Sequence, residues 1–272
     1  MTSTTSTSTD LDAPSRTHRF RVTPARVLRS EWHKLWTLRS TWITLLCASA
    51  VTFGIGLTMG ATYEDGGGDG DIDTVVLTLI GIQFTQIIVA VLGILVTASE
   101  YTTGMIRATM TAVPRRLPVL LSKAAVFGAL VLGVTLVTHA ATFLGAQLLL
   151  SGTEQSASLG DPGITRALVG SAIGLTLLGL IALGLGALLR STPGAIGAFI
   201  GGIMILPEVI PLLPYDVATD VVKYFPARAL ESATSAGPVP EGAAPGAALL
   251  ALALWATASL TAAGILLKRR DV

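Results

Sequence analysis

Six stretches of about twenty apolar residues, none containing a lysine, arginine or aspartate, constrain this chain more than any other feature. They run approximately over 41–61, 74–98, 124–150, 168–189, 194–213 and 246–267. A bilayer core about 30 Å thick needs roughly 20 apolar residues of helix to cross it. In lipid every backbone N–H and C=O must be satisfied within the protein, so each stretch is a helix or part of a closed barrel. Runs this long without strand-like alternation predict helices. Charged residues make up only 13% of the 272, about half the share of an ordinary soluble domain. The fold class expected is an all-α integral membrane protein with six transmembrane helices in one domain over 23–272. Proteins that are disordered over their length are excluded, because they are apolar-poor. The single cysteine, Cys47, excludes an internal disulfide.

Residues 1–22 are different material. Eight of the first ten are Ser or Thr, which predicts a disordered cytoplasmic tail. They do not resemble a secretory signal, since the first apolar stretch begins only near residue 41 after a long basic lead.

Lysine and arginine alternate in density from one connecting segment to the next. The N-terminal segment, the second and fourth connections and the C-terminus together carry fifteen, and the first, third and fifth connections carry three. The first connection holds none and has five acids, Glu64, Asp65, Asp69, Asp71 and Asp73. Basic residues concentrate on the cytoplasmic side, so both termini of this multi-pass protein are expected in the cytoplasm.

Residues 23–40 predict an amphipathic helix ahead of the first span. Thr23 suits the N-cap and Pro24 the first helical position. Leu28, Trp32, Leu35 and Trp36 share one helical face, with Arg26, Arg29, His33 and Lys34 opposite. A basic, tryptophan-bearing helix suits the headgroup layer of an anionic leaflet, and membrane lipids are its expected partner. The second connection reads Ser99-Glu100-Tyr101-Thr102-Thr103-Gly104-Met105-Ile106-Arg107, then Pro114-Arg115-Arg116. Its prolines interrupt helix continuity. A short helix lying across the membrane surface fits it, either to dock a soluble partner or simply to reconnect two spans.

These segments resemble a known family. Glu100 to Arg107, the following Pro114-Arg115-Arg116, the lead-in Ser30-Glu31-Trp32-His33-Lys34-Leu35, the turn Leu189 to Ala195 and the ending Lys268-Arg269-Arg270-Asp271 are similar to permease subunits of ABC transporters, the type-2 exporter group in its actinobacterial form. The resemblance covers about residues 23–272. It implies a dimer of permeases, the second copy identical or different, with a separate ATPase subunit docking on the cytoplasmic face. Carried over, Glu100, Tyr101, Thr103, Gly104 and Arg107 lie in the coupling helix that meets the ATPase. It also implies short re-entrant helices on the outer side before the sixth span, where Pro226, Pro238, Pro240 and Pro245 punctuate the chain.

The chain contains no G-x-x-x-x-G-K-[ST] phosphate loop. Gly66-Gly67-Gly68-Asp69-Gly70 is an acidic, flexible turn without the lysine that such a loop needs. No enzymatic chemistry is therefore expected here. The resemblance leaves ATP and Mg to the partner subunit, and no cofactor is expected in this chain. Three histidines, His18, His33 and His139, do not make a metal site, and no nucleic-acid partner is expected.

Two ionisable residues inside the spans are candidates for a translocation pathway. His139 lies near the middle of the third. Glu208 lies about 14 residues into the fifth, roughly 21 Å from its inner end at 1.5 Å per residue. Intramembrane acids mark function by default, but Glu208 near a proline-broken end can equally reach outer water. An ion-gradient-driven carrier or channel is the alternative function, and it would use such groups at the midplane. Gly170 with Gly174 and Gly197 with Gly201 permit close helix approach, either within the chain or at a dimer seam.

Overall fold

The computed structural model describes residues 23–64, 72–102, 116–212 and 220–269, and among these there are helices and no strands. Helix α1 is Pro24–Thr37, α2 Arg39–Thr62, α3 Thr74–Thr78, α4 Ile82–Thr102, α5 Arg116–Leu149 and α6 Ile164–Leu189. Then come α7, Thr192–Phe199, which runs through a π-helical stretch, Ile200–Ile205, into α8, Leu206–Val209; α9, Pro226–Thr234; and α10, Pro245–Arg269. Six helical segments are long and apolar enough to cross a bilayer: Arg39–Thr62, Ile82–Glu100, Leu117–Leu149, Ile164–Leu189, Thr192–Leu212 and Pro245–Arg269.

Helix α6 is the centre of the bundle. Two thirds of its span, 67%, is buried, against 22% for the two spans that follow it. It packs on α4, α5, α9 and α10, while α2 lies across α4 and α5. The α4–α6 seam depends on glycine. A Cβ on Gly93 would sit 2.5 Å from the Gly179 carbonyl oxygen, and one on Gly186 would sit 2.8 Å from that of Ile94. Removing side chains there lets the two backbones close, and Thr97 donates its hydroxyl across the seam to the Leu183 carbonyl at 2.9 Å. Without a hydrophobic drive between helices in lipid, such close packing and interhelical hydrogen bonds hold them together.

Two of the six apolar stretches are not single helices. The second begins as α3, turns at Leu79–Gly81 and restarts as α4. Asp73 caps α3, its Oδ1 accepting from the Val75 and Val76 amides at 2.9 and 3.2 Å. The turn sits against α2, where a Cβ on Gly81 would lie 2.8 Å from the Thr52 Cα. The fifth stretch widens into π geometry ahead of Pro207, with the Leu206 amide donating to the Gly201 carbonyl five residues back. Proline has no N–H to give and its ring crowds the carbonyl four residues earlier, so one wider turn carries the chain past it.

The connections at one end of the bundle are tied together. Asp73 Oδ2 accepts from the Ser235 hydroxyl at 2.9 Å and the Gly237 amide at 2.7 Å. Gln155 donates to the Ile72 carbonyl at 2.9 Å, and Arg166 to that of Ala236 at 2.7 Å. The first, third and fifth connections thus share one end, as alternating spans require. Helix α1, the end of α4 and the start of α5 share the other. Helix α9 lies at the first of these ends, its Ala229, Leu230 and Ala233 buried against α6 and α10. It is a short helix, too short to cross a bilayer, with one face packed on protein.

Candidate functional site

Pro24 opens α1 at its first turn, where its missing N–H costs nothing. Val27, Glu31 and Leu35 are buried, one turn apart along the face that meets α5. Leu28, Trp32 and Trp36 point outward, 42%, 42% and 50% exposed. The apolar face expected from sequence therefore divides. Leu35 turns into the protein, while Leu28 and the two tryptophans flank it on the outside. The tryptophan rings stack, 5.5 Å between centroids. Trp36 meets Trp42 of α2 edge-on at 4.7 Å, and the Trp42 indole donates to the Trp36 carbonyl at 2.8 Å.

Beneath α1 lies a cluster of four charges. The Lys123 ammonium on α5 donates to Glu31 Oε2 of α1 at 2.8 Å and to Glu100 Oε1 at the end of α4 at 2.8 Å. Lys34 of α1 also pairs with Glu100 Oε1. The side chains of Glu31, Glu100 and Lys123 are 7%, 4% and 4% exposed, so three of the four charges are out of solvent. Two acids and two bases leave the group neutral, and each ion touches at least one of opposite sign. Burying charges is tolerable only under that condition, and removing one partner strands another at high cost. The cluster joins three helices far apart in sequence at the point where α4 gives way to residues 103–115 and α5 begins.

Glu100 belongs in sequence to the expected docking segment, and its side chain is buried in this cluster at the end of α4. In sequence Lys123 is one of the basic residues counted in the second connection, Lys34 part of the basic face of α1, and Glu31 part of the lead-in motif. One local signal was available. Lys123 lies two turns inside a helix that begins at Arg116, beside a long apolar run, where a cation needs a partner. Of the expected docking residues, Glu100 and the backbone of Tyr101 belong to α4. Thr103, Gly104 and Arg107, and with them the expected coupling helix, lie outside the described residues.

The two pathway candidates are far from each other in character. His139 is 1% exposed and sits between α5 and α6. The Ser171 hydroxyl donates to the Leu168 carbonyl at 2.8 Å, so His139 Nδ1 is the donor in its 2.8 Å contact with Ser171 Oγ. Its Nε2 is a buried acceptor without a protein partner among the described residues. Glu208 is on α8 with its side chain 58% exposed, paired with Arg228 at 2.9 Å. It belongs to the connection-rich end beside α9. The glycine pairs also separate. Gly170 and Gly174 meet α9 within the chain, whereas nothing lies within 4 Å of a Cβ on Gly197 or Gly201. Among the described residues no group of His, Cys, Asp and Glu could hold a metal ion.

Six helices long and apolar enough to span, with α6 the most buried among them, make this a multi-pass helical membrane protein. The model of the ABC-2 family transporter protein matches residues 27–205, from α1 through the π-helical stretch. The chain belongs to that family and is an ABC permease, a membrane component that is not itself catalytic and implies an ATPase partner. A comparison with curated proteins returned no match.

Proposed function

We propose that this chain is the permease subunit of an ATP-driven exporter, forming the substrate pathway and receiving motion from a separate cytoplasmic ATPase at the α1 end. The observation that carries the reading is the Glu31–Lys34–Glu100–Lys123 cluster. Residues 103–115 leave α4 two residues after Glu100 and return seven residues before Lys123. A push on that segment acts first on the ends of α4 and α5. The cluster links those ends to α1 through buried ion pairs, so the three helices shift as one body rather than singly. A partner can drive such a shift only by binding the two arrangements with different affinity, which ATP-dependent closure of a docked ATPase supplies. Thr103, Gly104 and Arg107 are the expected contact residues, and ATP and Mg belong to the ATPase.

The α1 end faces the cytoplasm in this reading, as the basic residues direct, and the membrane is the bacterial inner membrane. Trp32 and Trp36 lie at the headgroup layer. Two permease copies pair through the open face shared by Gly197 of α7 and Gly201 of the π-helical stretch that follows it. His139 and Glu208 are the ionisable groups available to a translocation pathway, His139 within the bundle and Glu208 at its outer mouth.

A photo-cross-linking amino acid at position 107, compared with one at position 66, tests the docking. Irradiated cells should give an adduct between position 107 and a soluble ATPase, and none from position 66. An ATPase adduct from position 66 alone would reverse the orientation, and no ATPase adduct from position 107 would remove the docking role.

A further inference from the structure

Between α5 and α10 runs a groove of about 450 Å³. Leu117, Leu121, Leu260, Thr261 and Ile265 line it, with Lys268 at one end. Leu121, Thr261 and Ile265 are exposed, so the groove is open along its side. Its floor is the tight crossing at Gly264, where a Cβ would come within 2.8 Å of Leu117 Cδ2.

We infer that this groove holds one acyl chain of an anionic phospholipid, with the lipid phosphate on Lys268. Three observations carry the inference. The first is length: α10 contributes from Thr257 to Lys268, about 16 Å at 1.5 Å per residue. That is about one leaflet of a hydrocarbon core roughly 30 Å thick. The second is chemistry along that length. The walls are mainly aliphatic, with Thr257 and Thr261 the uncharged polar residues on them; no acid lines them, and Thr257 spends its hydroxyl on the Ala253 carbonyl at 2.7 Å. The third is charge. Lys268 lies in the last turn of α10 and pairs with no carboxylate among the described residues. A basic side chain at the mouth of a cleft between spanning helices is the arrangement that recognises anionic lipid headgroups. The groove shares no residue with the charge cluster, so the inference stands apart from the coupling role proposed above.

The test is native mass spectrometry of the full chain in mild detergent, mixed with palmitoyl-oleoyl phosphatidylglycerol or the phosphatidylcholine of the same chains. The wild type should retain phosphatidylglycerol roughly five-fold better, the factor one lysine near an anionic lipid supplies. Lys268→Ala should bring the two lipids level. Arg269→Ala, one residue on and off the groove, should keep the preference. Thr261→Trp fills the groove and should lower retention of both lipids. Equal retention by the wild type, a preference that survives Lys268→Ala, or equal loss in Arg269→Ala would each overturn the inference. So would Thr261→Trp without effect, or competition by free glycerol phosphate as strong as by the lipid. Dimers lost specifically in Thr261→Trp would assign the groove to a second copy instead. Each variant is compared at a gel-filtration profile equal to wild type. A variant without that profile is replaced by Lys268→Gln or Thr261→Phe, read by the same criteria.

Discussion

Lys123 on α5 holds Glu31 on α1 at 2.8 Å across ninety-two residues of sequence. The same ammonium reaches Glu100 of α4 at 2.8 Å, so one lysine fixes how three helices meet. Lys123→Met should strand the buried Glu31 carboxylate and leave Glu100 with Lys34 alone, destabilising the chain by about 3–5 kcal/mol. Adding Glu31→Gln should recover part of that loss, because Glu100 retains Lys34. Thermal unfolding in detergent reads both effects. A double variant no more stable than the single one would contradict the shared-ion account.

The divided face of α1 makes a separate prediction. Leu35 packs into the protein, but Trp32 and Trp36 are turned outward, where tryptophan favours the membrane boundary. Trp32→Glu with Trp36→Glu should lower the amount assembled in membranes and any export activity. Leu35→Glu should be worse than either single change, because it buries a charge without a partner. Normal assembly of the double variant would contradict the interfacial placement.

Glycines on α4 and on the fifth span should behave oppositely. Gly93→Val must push α4 from the Gly179 carbonyl, and overpacking of this kind costs about 1–3 kcal/mol or more. Gly197→Leu with Gly201→Leu enters open space and should leave the stability of the single chain unchanged. It should instead weaken pairing between permeases, visible as a shift toward monomer by light scattering in detergent. A monomer destabilised as much by the fifth-span pair as by Gly93→Val would contradict this division.

Asp73 satisfies four donors, two in its own helix and two in the fifth connection. Asp73→Ala should cost about 1–3 kcal/mol, the penalty for leaving such groups unmet. Proteolysis should then cut near residues 235–242 faster than in wild type, while sites near Arg190 are unaffected. Uniform sensitivity along the chain would show that Asp73 does not tie these segments together.

The spans were legible in sequence because crossing a bilayer demands a run of apolar residues that local composition alone reveals. Their interruptions were less so. The turn at Leu79–Gly81 depends on the Thr52 backbone of another helix. The π-helical stretch was foreshadowed by Pro207, but proline announces a disturbance and not its form. Thr23, Pro24 and the heptad-like apolar positions located α1, yet they could not decide which of its flanks meets protein, since leucine and tryptophan serve both. The charge cluster was least legible. Its members are 66 and 92 residues apart at the longest pairings, and each alone reads as a flanking charge. Gly170 and Gly197 make the same point from the packing side, identical in local pattern and opposite in surroundings.

The most direct measurement is recovery of the tagged chain from its native membranes in mild detergent, with mass spectrometry of whatever accompanies it. The account predicts a soluble subunit carrying a Walker A motif in stoichiometric amount, reduced in a chain with Arg107→Glu. Repeated recovery of the intact, folded chain without any ATPase would contradict it.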